Sequence, residues 1–338
     1  MKRVTFSLIA AIGFAGSMTG CGGSDTPPDV TTVSMANPAK YVANALLVPM
    51  TRSDYSIDLN GDGKLDNQLG NIIGALSAQN LNTQDGVDKS IASGGVVLLL
   101  TQTSADPSYM ADDASGVTVN VGNTITAPAM PDFSGQGTFT VNGGVGAANF
   151  AGRISNGTYS SNSPVTTTHP VNATLQLPLV AGADPVTLSI IGAHITFRVA
   201  AGKIMNGQLH GAIKNSDVQG KIVPGVAKLL DGRVVADPTT STNKQILMIF
   251  DNGGEADTTG ACNGVCANPA GDPTGACAKK GDGRVSICEV ATNSIIKNVL
   301  NPDVQMFDAA GNYHPNAAND MKDSLSLGVG FTAVKASF

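Results

Sequence analysis

Charged and aromatic side chains are scarce in this sequence. Asp, Glu, Lys and Arg make up 14% of the 338 residues, aromatic residues make up 4%, and tryptophan is absent. Carbohydrate platforms and single-stranded nucleic-acid sites rely on stacked aromatic rings, so this composition argues against both. The formal net charge of −6 and the lack of a basic cluster argue against nucleic acid and anionic membrane surfaces as electrostatic partners.

Glutamate and known catalytic motifs are also rare. Only Glu255 and Glu289 are glutamates, whereas aspartate, which favours turns and cation-binding loops, supplies the other acidic residues. No G-x-S-x-G, H-E-x-x-H or P-loop pattern occurs. We therefore predict that the chain is not an enzyme. An exported hydrolase, whose site around His194 and His210 would assemble only in the folded chain, stays an alternative.

The N-terminus is typical of an export signal. Two basic residues precede an apolar run over residues 4–14, which is too short for a comfortable membrane span. Small residues and Cys21 follow, and residues 18–21 resemble the lipobox of bacterial lipoproteins, in which the cysteine is acylated. We predict a signal peptide over 1–20 and a lipidated Cys21 with a flexible tether over 21–40. The body would be exported and anchored by lipid at the outer membrane or cell surface.

The rest of the chain, residues 41–338, reads as a single β-rich domain. Gly, Asn and Ser separate short segments of alternating apolar residues, which predicts short strands joined by tight turns. The fold class is mainly β (α+β), with an antiparallel β-sandwich-like body and a few short helices. Apolar spacing predicts helices over 69–80 and 216–235, and an apolar run predicts a buried strand over 243–251. The alternating residues 323–338 predict a C-terminal strand.

One stretch, "DLNGDGKLDN" at residues 58–67, carries the clearest chemical signal. Ca²⁺ takes six to eight oxygen ligands, and alternate residues of a tight loop bring side chains to one point. Taking residue 58 as position one of a twelve-residue loop, a glycine falls at position six, where the sharp turn is needed. The stretch resembles the calcium loops of EF-hands and dockerins, although Leu69 replaces the usual carboxylate at position twelve. We predict a Ca²⁺ site made by Asp58, Asn60, Asp62, the backbone carbonyl of Lys64, and Asp66, with Asp54 or later acids as further donors.

A second loop, "AKKGDGRVSICE" at residues 278–289, follows the same layout in degenerate form. Its later positions are occupied by Asp282, Arg284, Ser286 and Glu289. Positions one and three are Ala278 and Lys280, which provide no ligand side chain. We predict a degenerate loop, with an occupied calcium site as the alternative.

Four cysteines crowd into residues 262–288, around this second loop. An even count in an exported chain predicts two disulfides, and the spacing lacks the paired C-x₂-C of most zinc sites. The cysteines are Cys262, Cys266, Cys277 and Cys288. We predict that disulfides staple this segment, and the sequence leaves their pairing open.

Taken together, the lipobox, the two loops and the ending "DSLSLGVGFTAV" resemble those of uncharacterised bacterial lipoproteins. The resemblance implies calcium binding and no further function. We therefore predict a calcium-binding envelope lipoprotein with a structural or adhesive role and the membrane as a partner through its lipid. A glycan- or protein-binding module, with an exposed patch around Tyr55, Phe133 or Tyr159, is a further alternative.

Overall fold

The computed structural model describes residues 28–78, 82–178, 185–251 and 281–338. Nine strands form one continuous sheet in which every pair of neighbouring strands is antiparallel. The strands are β1 Ala39–Leu47, β2 Leu98–Thr103, β3 Ala111–Val121, β4 Ala148–Ser155, β5 Thr158–Ser161, β6 Ala173–Leu177, β7 Val186–Ala200, β8 Lys203–Lys214 and β9 Ser324–Lys335. The predicted mainly β class with short helices is confirmed.

The sheet closes on itself because β7 is long enough to pair with two strands on one edge. Its first half pairs with β6, and its second half pairs with β5, which also pairs with β4. A ring therefore runs through β1, β2, β3, β4, β5, β7, β8 and β9 and returns to β1. In this ring β1 lies opposite β5. The sequence predicted short strands but not this closure, since pairing between distant strands leaves no local pattern.

The apolar core lies on the inner face of this ring. The predicted C-terminal strand is confirmed as β9, whose alternate residues are all buried in that core: Leu325, Leu327, Val329, Phe331 and Ala333. Two helices cover neighbouring strands, α1 (Gln68–Ala78) against β9 and α2 (Thr83–Ala92) against β1. The helix predicted over 69–80 is therefore present, and its last two residues lie outside the described part of the chain.

The remaining helices are α3 Asn215–Asp217, α4 Val223–Ala236, α5 Ser241–Phe250, α6 Ile287–Thr292 and α7 Ser294–Leu300. All but the short α3 pack against the same core. A π-helical turn over Val218–Ile222 joins α3 to α4, so the predicted helix over 216–235 is interrupted just before Pro224, which cannot donate a backbone hydrogen bond. The strand predicted over 243–251 is wrong, because this segment forms α5.

The body begins earlier in the chain than predicted. Residue 39 already belongs to β1, and Val30 is buried with 7% of its surface exposed. The C-terminal part of the predicted tether, residues 28–40, is thus part of the folded body. Within the described ranges, no helix is long and apolar enough to cross a membrane.

Candidate metal centre

The loop over residues 58–66 is held in shape by Asp58 at its start. Its Oδ1 atom accepts hydrogen bonds from the backbone N–H groups of Gly61 at 2.6 Å and Asp62 at 3.2 Å, and its Oδ2 atom accepts one from Gly63 at 2.8 Å. Both glycines have positive φ angles, +82° and +76°, which side chains with a Cβ rarely adopt. A backbone bridge between Ile57 and Asp66 closes the base of the loop.

Three predicted ligands meet inside this loop. One carboxylate oxygen from each of Asp58, Asp62 and Asp66 lies within 4.8 Å of the others. No other such group of His, Cys, Asp and Glu occurs among the described residues. Lys64 extends outward and lies 3.3 Å from an Asp62 oxygen, with 78% of its side chain exposed, so its side chain is a weak counter-ion.

Asp66 is the most perturbed acid of the group. Only 2% of its surface is exposed, and its Oδ2 atom accepts a hydrogen bond from the backbone N–H of Leu59 at 3.0 Å. Burial, with the added repulsion of Asp303 and Asp62, raises the pKa of Asp66 to about 6. Arg52 lies 3.4 Å from this carboxylate and 3.3 Å from Asp303, and it offsets only part of the cost because it is half exposed.

The sequence analysis missed Asn319, which lies far along the chain. Its Oδ1 atom accepts a hydrogen bond from the amide of Asn60 at 2.7 Å, and its own amide donates to Asp62 at 3.3 Å. Asn60 in turn accepts a hydrogen bond from the backbone N–H of Asp62 at 3.2 Å, so its oxygen faces into the loop. A single asparagine in a loop carries no signal that relates it to residues 257 to 259 positions away.

The residue at position twelve of the loop, Leu69, is part of the apolar core. Leu69 is 2% exposed and packs in the main apolar cluster through α1. Asp54, which was predicted as a further donor, does not join the acidic group, since its Oδ2 atom accepts the backbone N–H groups of Met50 and Thr51. The missing oxygen is therefore not supplied by Asp54, and water or a carbonyl would have to complete the shell.

Asn67 fixes the loop to the sheet. Its side-chain oxygen accepts the backbone N–H of Gly328 at 3.0 Å, and its amide donates to the Gly328 carbonyl at 3.0 Å and to the Asp54 carbonyl at 2.6 Å. Asn67 is fully buried. Asn67, which directly follows the loop, thus links it to β9.

The second loop has nearly the same hydrogen bonds as the first. Asp251, from outside the loop motif, takes the place of the aspartate at position one. Asp251 accepts the backbone N–H groups of Gly281 at 2.5 Å, Asp282 at 3.3 Å and Gly283 at 2.9 Å, which are the bonds that Asp58 makes in the first loop. Gly281 and Gly283 also have positive φ angles, +75° and +78°. The sequence contained Asp251, but motif spacing did not relate it to a loop 30 residues later.

The remaining predicted ligands of the second loop perform structural tasks. Ser286 and Glu289 form a capping box at the start of α6, in which each side chain bonds the other's backbone N–H. Arg284 makes a two-point ion pair with Asp231 of α4, at 2.7 and 2.6 Å. Asp251, Asp282 and Glu289 do not form a metal-sized group. The loop is therefore built like the first one without its convergent carboxylates.

Several predicted residues fall outside the part of the chain that the structure describes. Cys21 precedes residue 28, and Cys262, Cys266 and Cys277 lie within 252–280. Cys288 is described and is fully buried in α6. The lipid anchor and the two disulfides accordingly stay predictions.

The histidines of the hydrolase alternative lie on adjacent strands. His194 and His210 pair across β7 and β8, and both are buried. Ser161 lies 2.8 Å from Nδ1 of His194, but the same Nδ1 lies 3.0 Å from the carbonyl of Asn162. A carbonyl accepts only, so Nδ1 carries the proton and is not available as a base toward Ser161. This pair therefore lacks the geometry of a nucleophile and its base.

The aromatic patch of the binding-module alternative does not form as predicted. Tyr159 is fully buried, stacked against Phe197 with ring centres 5.2 Å apart. Tyr55 and Phe133 are partly buried.

Comparison with known proteins gave no match among protein-family models, curated proteins or solved structures.

Proposed function

We propose that the protein is an exported envelope lipoprotein whose body is stabilised by Ca²⁺ bound in the 58–66 loop, and that its role is structural. The observation that carries this proposal is the convergence of three carboxylates, from Asp58, Asp62 and Asp66, within 4.8 Å of one another. Two ionised carboxylates within that separation repel by at least about 3.5 kcal/mol at an effective dielectric of about 20. A bound divalent cation would turn this repulsion into attraction.

The donor set favours calcium over other metals. Every side-chain ligand in the loop offers oxygen, which suits hard cations, whereas zinc and copper prefer nitrogen and sulfur. Mg²⁺ demands a smaller octahedral shell and loses its water reluctantly. Since position twelve provides no carboxylate, we expect the weak affinity of extracellular modules, with a Kd of about 0.1–1 mM.

A structural role is supported by the hydrogen bonds that join the loop to β9 and to the segment before it. Asn67 joins it to β9, and Asn319 joins it to the segment that precedes β9. An ion that orders the loop would therefore stabilise β9. An adhesive role would need an exposed recognition surface, and the partly buried aromatic residues do not favour one.

Calorimetric titration with CaCl₂ tests the metal site. The soluble body without the lipidated cysteine, residues 22–338, freed of metal by chelation, should bind one ion in the loop. Asp62→Asn should weaken this binding by at least about tenfold, or about 1.4 kcal/mol. Asp282→Asn is the matched control, since it occupies the same position in a loop of the same backbone shape, and it should leave the affinity unchanged. An absence of binding at several millimolar, or equal effects of the two variants, would contradict the proposal.

A further inference from the structure

Residues 28–38, here called the strap, are hydrogen-bonded along the outside of the ring. The side chain of Asn162 bonds both backbone groups of Val30: its oxygen accepts the Val30 N–H at 3.0 Å, and its amide donates to the Val30 carbonyl at 2.9 Å. The guanidinium of Arg153 donates to the carbonyl of Pro28 at 2.6 Å. Thr168 donates its backbone N–H to the Asp29 carboxylate at 3.2 Å. The strap is therefore fixed to the body from Pro28 onward.

The rest of the strap crosses the neighbouring strands. Ser34 donates its backbone N–H to the carbonyl of Ala114 in β3 at 2.7 Å. Ser104, just after β2, donates to the carbonyl of Ala36 at 3.0 Å. The strap thus lies over the wall of the ring formed by β3, β4 and β5, and it reaches β1 only after passing this wall.

The length of chain between the lipid and the strap limits how the body can turn. Seven residues lead from Cys21 to Pro28, and they span at most about 25 Å. A tether that ran free to residue 40 would span about 65 Å, more than the diameter of about 50 Å expected for a body of this size. The longer tether would permit every orientation, whereas the shorter one keeps the strap-bearing wall close to the anchor.

We propose that the body rests on the membrane with its β3–β5 wall toward the lipid headgroups and with β1 directed away. This inference rests on the lipid anchor of the proposed function. The strap and the wall carry Asp29, Asp112 and Asp113 against Arg153, so their charge is net negative and does not draw the wall toward a lipid surface. The position at which the strap begins, rather than surface charge, determines the orientation.

Energy transfer to a labelled membrane tests the orientation. The full lipidated chain is reconstituted in phosphatidylcholine vesicles that contain an acceptor-labelled lipid. A donor dye is placed at Thr166→Cys, near the strap, or at Asn44→Cys on β1; both positions are exposed. Transfer should be several-fold more efficient from position 166 than from position 44. The chain without an added cysteine gives the labelling background.

A spacer variant provides the matched control. About a dozen Gly and Ser residues inserted after Ser24 leave the anchor and the strap intact but lengthen the reach by about 40 Å. The difference between the two positions should then disappear. Equal transfer from both positions in the chain without the spacer, or greater transfer from position 44, would overturn the orientation alone. If the chain fails to float with the vesicles and behaves like Cys21→Ser, the lipid anchor fails and the orientation fails with it.

Discussion

Replacing Asp66 by asparagine should stabilise the metal-free protein and remove its response to calcium. Asparagine keeps an oxygen that can accept the backbone N–H of Leu59, now 3.0 Å from the carboxylate. It removes a negative charge that burial and two neighbouring acids disfavour. The lost ion pair with Arg52 is long, at 3.4 Å, and half exposed, so it is worth less than about 1 kcal/mol.

The size of the effect follows from the pKa of Asp66. This pKa is about 6 in the folded protein and near 3.9 in an unfolded chain, so folding disfavours the ionised form. The free energy of unfolding is unaffected below about pH 4, falls as the pH rises to about 6, and stays reduced above that. Two pKa units correspond to about 3 kcal/mol. After the loss of the Arg52 contact, we expect Asp66→Asn to gain about 1–3 kcal/mol at pH 8 and almost nothing at pH 4.

Urea denaturation at pH 8, in EDTA and in calcium, provides the assay. In EDTA the variant should have the higher midpoint. Calcium at fifty times its Kd should add about 2 kcal/mol to the unsubstituted protein and little to the variant. The gap between the two proteins should therefore shrink or reverse. A variant that is less stable than its parent in EDTA would refute the reasoning, because it would mean that the fold favours the ionised carboxylate.

Three further outcomes follow from the same contacts, each measured by urea denaturation. Burial lowers the pKa of His210 to about 3, so this residue should make the free energy of unfolding fall as the pH drops from about 6.5 toward 3. His210→Gln should reduce that fall in an Asp66→Asn background, which removes the opposite titration of Asp66; an unchanged slope would contradict this. Asp231→Ala removes a two-point pair with Arg284 and the acceptor of the Val285 N–H, so it should cost about 1–2 kcal/mol. The control Asp217→Ala removes only a one-point pair with Lys221 and should cost about 0.5 kcal/mol or less; equal losses would contradict this. Asn67→Ala should cost about 2–4 kcal/mol because buried backbone groups of β9 lose their partner, and a loss within error of zero would contradict it.

The sequence predicted local elements best where one face of an element is uniformly apolar. The alternation from Leu325 to Ala333 identified β9, and the helical spacing from Leu69 to Leu76 identified α1. Both patterns reflect burial against a single core, so their period reports the backbone geometry directly. The closure of the sheet through β5 and β7 could not be predicted in this way, because it depends on the meeting of strands that are distant in the chain.

The error at 243–251 has a local cause. The run is apolar on more than one face, and a short apolar run is compatible with a strand or a helix. In the structure Ile246 and Phe250, four residues apart, are buried, while Met248 is 78% exposed. Thr240 caps the helix by accepting the backbone N–H of Asn243, and this cap was the available signal for a helix start.

The second loop marks where motif spacing stops being informative. In the first loop the aspartate at position one precedes its glycine partner by three residues, whereas Asp251 and Gly281 are separated by 30. Both aspartates nevertheless accept the same backbone N–H groups, because the bonds depend on adjacency in space. The entropy of closing a loop grows only slowly with its length, so a separation of 30 residues between the two partners costs little more than a short one. α5 ends at Phe250, directly before Asp251, and α6 begins at Ile287, so the ends of these two helices meet at the second loop.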